Sequence, residues 1–243
     1  MVRPFTCAFF AFHCFTVYPV SGVNLEKIKS LTLHIQFFML TDLFLQLVNK
    51  YSNNNELATN LWLEIFTRYS EPKRHYHTIT HLENIVSELT QVKSKIEDWD
   101  TTLFAVFYHD IIYKASSSTN EADSAKLAMQ KLSEIGFPSE RIAKCSNMIL
   151  ATKTHERSED ADTNYLVDAD LAVLGSSQFD YQRYSEQIRE EYSVYPDFMY
   201  NSGRKKALQH FLQMDAIYKT DYFSEKYEKY ARENIISELL DLQ

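Results

Sequence analysis

From residue 39 onward, apolar positions recur at intervals of three and four, and the chain reads as helix after helix. "NELATNLWLEIFTRY" carries Leu57, Leu61, Trp62, Ile65 and Phe66 at that spacing. "THLENIVSELTQVKSKI" carries Leu82, Ile85, Val86, Leu89 and Val92. "TTLFAVFYHDIIYK" follows Asp100, which suits an N-cap, and is apolar almost all round, as a buried helix is. "SSSTNEADSAKLAMQKLSEIG" opens on a capping-box pair, Ser118 and Glu121, and closes at Gly136. "PSERIAKCSNMILATKTHE" starts at Pro138, a residue suited to a first helical turn. "YLVDADLAVLG" stops at Gly175, and further helices are expected over about 178–195, 201–219 and from 222. No repeat, low-complexity tract or linker interrupts this stretch. The expectation is an all-α fold with residues 39–243 as a single helical domain.

Polar residues break this pattern where it is most apolar. His109 and Asp110 sit in the middle of "LFAVFYHDIIYK", although a buried carboxylate is costly unless it is paired or metal-bound. In "YLVDADLAVLG" two aspartates interrupt another apolar run. Residues two apart on a regular helix point about 200° from each other, so they cannot share one site. Asp170 has the inward-facing neighbours. Asp168 is kept in reserve, since it could cap the short helix that follows. His155 ends another apolar helix. In "RHYHTITHLENI", His77 and His81 lie four apart and would share a face if that stretch is helical. Each intrusion alone has a plain structural reading, such as a satisfied His–Asp pair or, for His155, a cation at a helix C-terminus. Jointly, His77, His81, His109, Asp110, His155 and Asp170 mix imidazole with carboxylate beside apolar faces. That donor set suits a divalent cation held in a helical core.

Composition narrows the function. Glycine (4) and proline (5) are scarce, as in long helices rather than tightly turned sheets. A formal net charge of −8 argues against a nucleic-acid polymer or an anionic membrane as partner. Cys7, Cys14 and Cys145 make neither a disulfide framework nor a metal-binding pair, which suits a reducing, cytoplasmic setting. Residues 1–38 read as an extension of different character. Within it "MVRPFTCAFFAFHCFTVYPVSGV" has a basic start, an apolar middle and small residues near Ser21 and Gly22, so residues 1–22 could act as a signal or anchor. Alternatively the extension is extraneous and Met39 is the true start.

The ordered set resembles the HD superfamily of metal-dependent phosphohydrolases: a histidine (His81), a His-Asp pair (His109, Asp110), a further histidine (His155), then an aspartate within "DAD" (168–170). "RHYHTITHLENI", "FYHDIIY", "NEADSA" and "DADLAVLG" are similar to stretches of its small bacterial members. The likeness covers about residues 39–219. "YHTITHLENI" also looks like the Y-H-N-x-x-H stretch of cyclic-nucleotide phosphodiesterases, departing at Thr78.

The resemblance implies an HD-domain-like helical bundle with a divalent ion (Mn, Co, Mg, Ni, Zn or Fe) in its core. It also implies hydrolysis of a small phosphoester, such as a nucleotide, by metal-activated water. His81, His109, Asp110 and Asp170 become ligands, His155 a weaker ligand, and Asp168 the reserve. His77 becomes the general acid, with Asp110 and Glu121 as catalytic carboxylates. Many two-metal members carry His-Glu where this chain has Asn120-Glu121, so one tight ion is expected. Arg74, Lys114, Lys153 and Arg204 are candidate phosphate contacts. The alternatives are a non-catalytic metal- or nucleotide-binding module and an iron-dependent oxygenase. Self-association is left open.

Overall fold

The computed structural model describes residues 39–242; the readings of residues 1–38, with Cys7 and Cys14, lie outside the described residues. All regular structure among the described residues is helical, with no strand. The helices are α1 (39–49), α2 (Asn55–Tyr69), α3 (Ile79–Gln91), α4 (Trp99–Tyr108), α5 (Asn120–Glu134), α6 (Ser139–Ala151), α7 (Ala161–Asp170), α8 (Gln178–Glu191), α9 (Asp197–Gln213) and α10 (Asp221–Asp241). Short 3-10 turns occupy Lys93–Lys95 and Leu171–Gly175. No helix among the described residues is long and apolar enough to cross a membrane.

The apolar periodicity holds and the ends differ. The helix expected after Asp100 is instead capped by Asp98, whose carboxylate accepts from the Thr101 N–H at 3.1 Å and the Thr101 hydroxyl at 2.6 Å. Asp100 turns away to Lys50 (2.6 Å) and the Tyr51 hydroxyl (2.8 Å). The capping box at Ser118 and Glu121 does not form. Thr119 is the N-cap of α5, and its hydroxyl donates to Asp123 at 2.8 Å. Gly136 ends α5 as expected. Its φ of +73° lets the Phe137 N–H reach the Leu132 carbonyl and its own N–H reach that of Ser133, a Schellman closure.

α4 is the central helix. Every residue from Thr101 to Tyr108 is buried, and α3, α5, α6 and α7 pack around it. Phe107 meets Phe44 (ring centroids 4.9 Å apart) and Trp62 (6.2 Å), and Phe104 meets Phe137 at 4.9 Å. Each such ring contributes roughly 1.5–3 kcal/mol by leaving water. The result is a rigid wall behind the C-terminal end of α4, where His109 and Asp110 emerge.

α10 lies against the Leu171–Gly175 turn at a glycine. A Cβ at Gly175 would sit 2.6 Å from Tyr227 Cβ and 2.7 Å from the Tyr227 carbonyl oxygen. Backbone cannot rotate aside as a side-chain tip can. Gly175→Ala is therefore expected to cost about 1–3 kcal/mol, read as a lower midpoint in thermal unfolding. An unchanged midpoint would show that α10 is free to shift.

Candidate metal centre

Three helices deliver the polar intrusions to one place. His81 is in the first turn of α3, His109 caps the C-terminus of α4, Asp110 follows it, and Asp170 ends α7. The Nε2 atoms of His81 and His109 face each other at 3.2 Å. Asp110 Oδ2 lies 3.0 Å from His109 Nε2 and 3.9 Å from His81 Nε2. Asp170 Oδ1 lies 3.1 Å from His81 Nε2 and 3.7 Å from His109 Nε2. One donor atom each from His81, His109 and Asp110 falls within 4.8 Å of the other two. Asp170 thus joins the same pair of imidazoles, although it follows His81 by some ninety positions.

The donor chemistry fits a cation. His109 Nδ1 lies 2.8 Å from the Val106 carbonyl, which can only accept. Nδ1 therefore carries the hydrogen, and the Nε2 lone pair is aimed at the cluster. The two carboxylates need compensating charge in an interior where His81 and His109 are buried. Without a cation the compensation falls on protons. Burial works against a charged His109, but Asp110 and then Asp170 override it and lift its pKa to about 9. Burial would raise the Asp110 carboxyl; His109 and His77 outweigh it and hold the carboxyl below its ordinary range. A divalent ion offers the same compensation and displaces the proton.

Around this core the structure differs from the helical picture. His77 is not on α3, whose N-cap is Thr78, so its nearness to His81 (ring centroids 5.6 Å apart) owes nothing to an i, i+4 register. Glu191, at the end of α8, sets its position. Glu191 Oε1 accepts the N–H groups of His75, Tyr76 and His77 at 2.8, 2.8 and 2.9 Å. Glu191 Oε2 accepts from His77 Nδ1 at 2.7 Å and from the Tyr113 hydroxyl at 2.8 Å. The opposite nitrogen, His77 Nε2, faces Asp110 Oδ2 at 3.7 Å. Burial lowers the His77 pKa, yet Asp110 and Glu191 together raise it above the ordinary histidine value. His75 points elsewhere, with Nδ1 2.9 Å from Glu190.

Glu191 was not among the residues picked from the sequence. The signal was present: Tyr181, Tyr184, Ile188 and Glu191 recur at helical spacing, which puts the glutamate on the buried stripe of α8.

His155 lies beyond the end of α6, not on it, with φ +52°. That uncommon left-handed backbone turns its imidazole back so that Nε2 meets Asp170 Oδ2 at 3.0 Å. Asp170 therefore spans the histidine pair through one oxygen and His155 through the other. Asp168 is corrected: it reaches neither the cluster nor the 3-10 turn after it. Its carboxylate accepts from the Lys219 and Thr220 N–H groups (2.7 and 2.8 Å) and the Thr220 hydroxyl (2.7 Å), fixing the start of α10.

The candidate phosphate contacts are occupied elsewhere, apart from Lys114. The buried Arg74 guanidinium donates to the carbonyls of His77 (3.3 Å), Asp110 (2.7 Å) and Ile111 (2.9 Å), and lies over the Tyr69 and Tyr113 rings. It ties the loop carrying His77 to the backbone of Asp110 and Ile111. Arg204 forks onto Glu238 at 2.7 and 3.0 Å. Lys153 donates to the Ser118 carbonyl and sits 3.6 Å from Glu121, whose carboxylate is not among the donors that His81, His109 and Asp110 gather. Lys114 is exposed, and Asn120 clamps its backbone at both N–H (3.1 Å) and C=O (3.0 Å). Asn120 thus serves the loop, in keeping with its poor standing as a ligand.

Comparison with known proteins returns no match: no protein-family model, no curated protein and no solved structure matches this chain.

Proposed function

We propose that this chain is a metal-dependent phosphohydrolase of the HD type, acting on a small phosphoester. The observation that carries the reading is the face-to-face His81–His109 pair, whose Nε2 atoms are 3.2 Å apart, with Asp110 and Asp170 each placing a carboxylate oxygen 3.0–3.9 Å from both. These residues come from three separate stretches of the chain, and a divalent ion would compensate the two carboxylates in place of a proton on His109.

His81, His109, Asp110 and Asp170 hold one divalent ion, with His155 steadying Asp170. When bound, such an ion lowers the pKa of a water and offsets charge on a phosphoryl group. The chain's own residues supply the proton chemistry. His77 keeps its Nδ1 hydrogen on Glu191, and the adjacent carboxylates favour its charged form, so Nε2 carries a transferable proton near neutral pH. The water oxygen bonds to phosphorus as the bond to the organic oxygen breaks. The organic oxygen leaves with the His77 proton, the water's proton is released to solvent, and solvent reprotonates His77. Arg74 and Glu191 keep the two loops in register through the steps.

The test is direct. Purified full-length protein is analysed for bound elements and assayed for phosphate release from a broad phosphoester panel with added Mn²⁺, Co²⁺, Mg²⁺ or Ni²⁺. About one ion per chain and turnover of at least one phosphoester are expected. Bound metal with no turnover across the panel would turn the reading into a binding module; no metal under any loading would end it.

A further inference from the structure

Beside the cluster, α3, α8 and the Leu171–Gly175 turn border an open cavity of about 430 Å³ whose wall includes His81 and Asp170. That size is within the range of small-ligand pockets, roughly 300–1,000 Å³. Its two long sides are polar by design of the helical register. Thr80, Asn84 and Ser87 fall at i, i+4 and i+7 on α3, and Asp180, Arg183 and Gln187 at i, i+3 and i+7 on α8. These residues are mostly exposed, so the two polar stripes form the walls of a groove open to solvent, with His81 and Asp170 at its inner end.

The electrostatics of the lining are uneven. Glu88 is met by Lys226 at 2.8 Å and by the Tyr227 hydroxyl at 2.7 Å. Asp180 accepts the Ser177 hydroxyl at 2.6 Å, at the N-terminus of α8. Arg183 is the only lysine or arginine in the lining, and its guanidinium has no hydrogen bond or ion pair among the described residues. Asn84 and Gln187 likewise keep their amides free of partners there. An unpaired guanidinium presents a fork of N–H donors that matches a carboxylate or phosphate.

We infer that this cavity receives the organic half of the phosphoester, and that Arg183 selects substrates carrying a second anionic group, a carboxylate or another phosphate, on that half. Asn84 and Gln187 hydrogen-bond the polar body between the two anions. The inference rests on the phosphohydrolase reading for its chemistry, but its binding component is measurable without turnover.

The experiment uses matched pairs that differ by one anionic group: 3-phosphoglycerate against glycerol 3-phosphate, and adenosine 3′,5′-bisphosphate against adenosine 5′-monophosphate. With the Mn²⁺-loaded full-length protein, kcat and KM come from phosphate release, and affinities from titration calorimetry on protein freed of metal. In at least one pair the compound with the second anion is expected to have a KM and a dissociation constant at least tenfold lower. Arg183→Gln should collapse that ratio toward one through KM, with kcat little changed. Arg183 has no partners to lose, so folding is preserved, and circular dichroism checks it. Equal handling of both pairs, or a preference that survives R183Q, overturns the inference, as does failure of all four compounds to bind. Selective binding lost in R183Q, with no phosphate released, keeps the anion-selecting cavity and rejects the phosphohydrolase reading instead.

Discussion

Asp110→Asn is expected to lose stoichiometric metal and at least about a hundredfold in phosphate-releasing activity while staying folded. The floor comes from partners one bond removed from a metal, whose loss already costs about 10–100-fold. Asparagine matches aspartate in shape. The backbone bonds of residue 110, from its N–H to the Tyr69 hydroxyl at 3.2 Å and from Arg74 to its carbonyl at 2.7 Å, do not depend on the side chain. Only the charge and one donor oxygen go. In metal-free protein His109 and His77 hold the Asp110 carboxyl below its ordinary range, which outweighs repulsion from Asp170, so its charge also stabilises the fold. The metal-free variant should therefore unfold somewhat earlier than metal-free wild type, and metal content and activity are compared at a temperature where both are folded. Elemental analysis beside thermal unfolding reads both. Full metal occupancy in D110N would remove Asp110 from the ligand set.

Glu191→Gln should have the largest effect on stability, about 3–5 kcal/mol near neutral pH, because it breaks a buried charged network rather than a surface pair. Glu191 is only 6% exposed and accepts from three backbone N–H groups, an imidazole and a phenol. A glutamine amide turns one of its two acceptor ends into a donor, facing groups that also donate. The effect has a pH signature. Burial would raise the Glu191 pKa, but His77 foremost, with the N–H donors and Tyr113, holds it at about 2 against an ordinary 4.5. A depressed folded-state pKa gives stability that is complete above the unfolded value and is lost as pH falls through the folded one. The gap between wild type and E191Q should thus be largest from about pH 5 to neutrality, shrink between roughly pH 4.5 and 2, and shrink again at higher pH as His77, whose pKa Glu191 helps to raise, loses its proton. Denaturant unfolding at stepped pH measures it. A gap independent of pH would mean that Glu191 acts by shape and not by charge. Activity should fall as well, since the loop carrying His77 hangs on this carboxylate.

Much of the fold was legible from residue type alone. Leu57, Leu61, Trp62 and Ile65 mark α2 by spacing, and α2 spans Asn55–Tyr69 as read. The near-continuous apolar run around Phe104 and Phe107 marked a buried helix, and α4 is buried on all sides. His81, His109, Asp110 and Asp170 stood out because charge on an apolar face must be satisfied, and the structure brings these four together. The choice of Asp170 over Asp168 also followed from helix geometry, since residues two apart point to opposite sides.

Misread features share one cause. α4 does not continue through Asp110: the Asp110 N–H goes to the Tyr69 hydroxyl, from 41 residues earlier, the Val106 carbonyl it would have used meets His109 Nδ1, and Arg74 holds the carbonyls of Asp110 and Ile111 beyond. His77 is held in a loop by a glutamate 114 residues later. Arg74 and Arg204 read as free cations and are both engaged, one by carbonyls and one by Glu238.

By itself, then, the sequence determined the helical class, the apolar faces and which polar residues were out of place, since periodicity and desolvation cost are properties of a few neighbouring positions. Only the tertiary structure decided where helices stop, which arginines are free and how the His77 loop is held. Those outcomes depend on hydrogen bonds between segments far apart in the chain, and no local pattern encodes the partner.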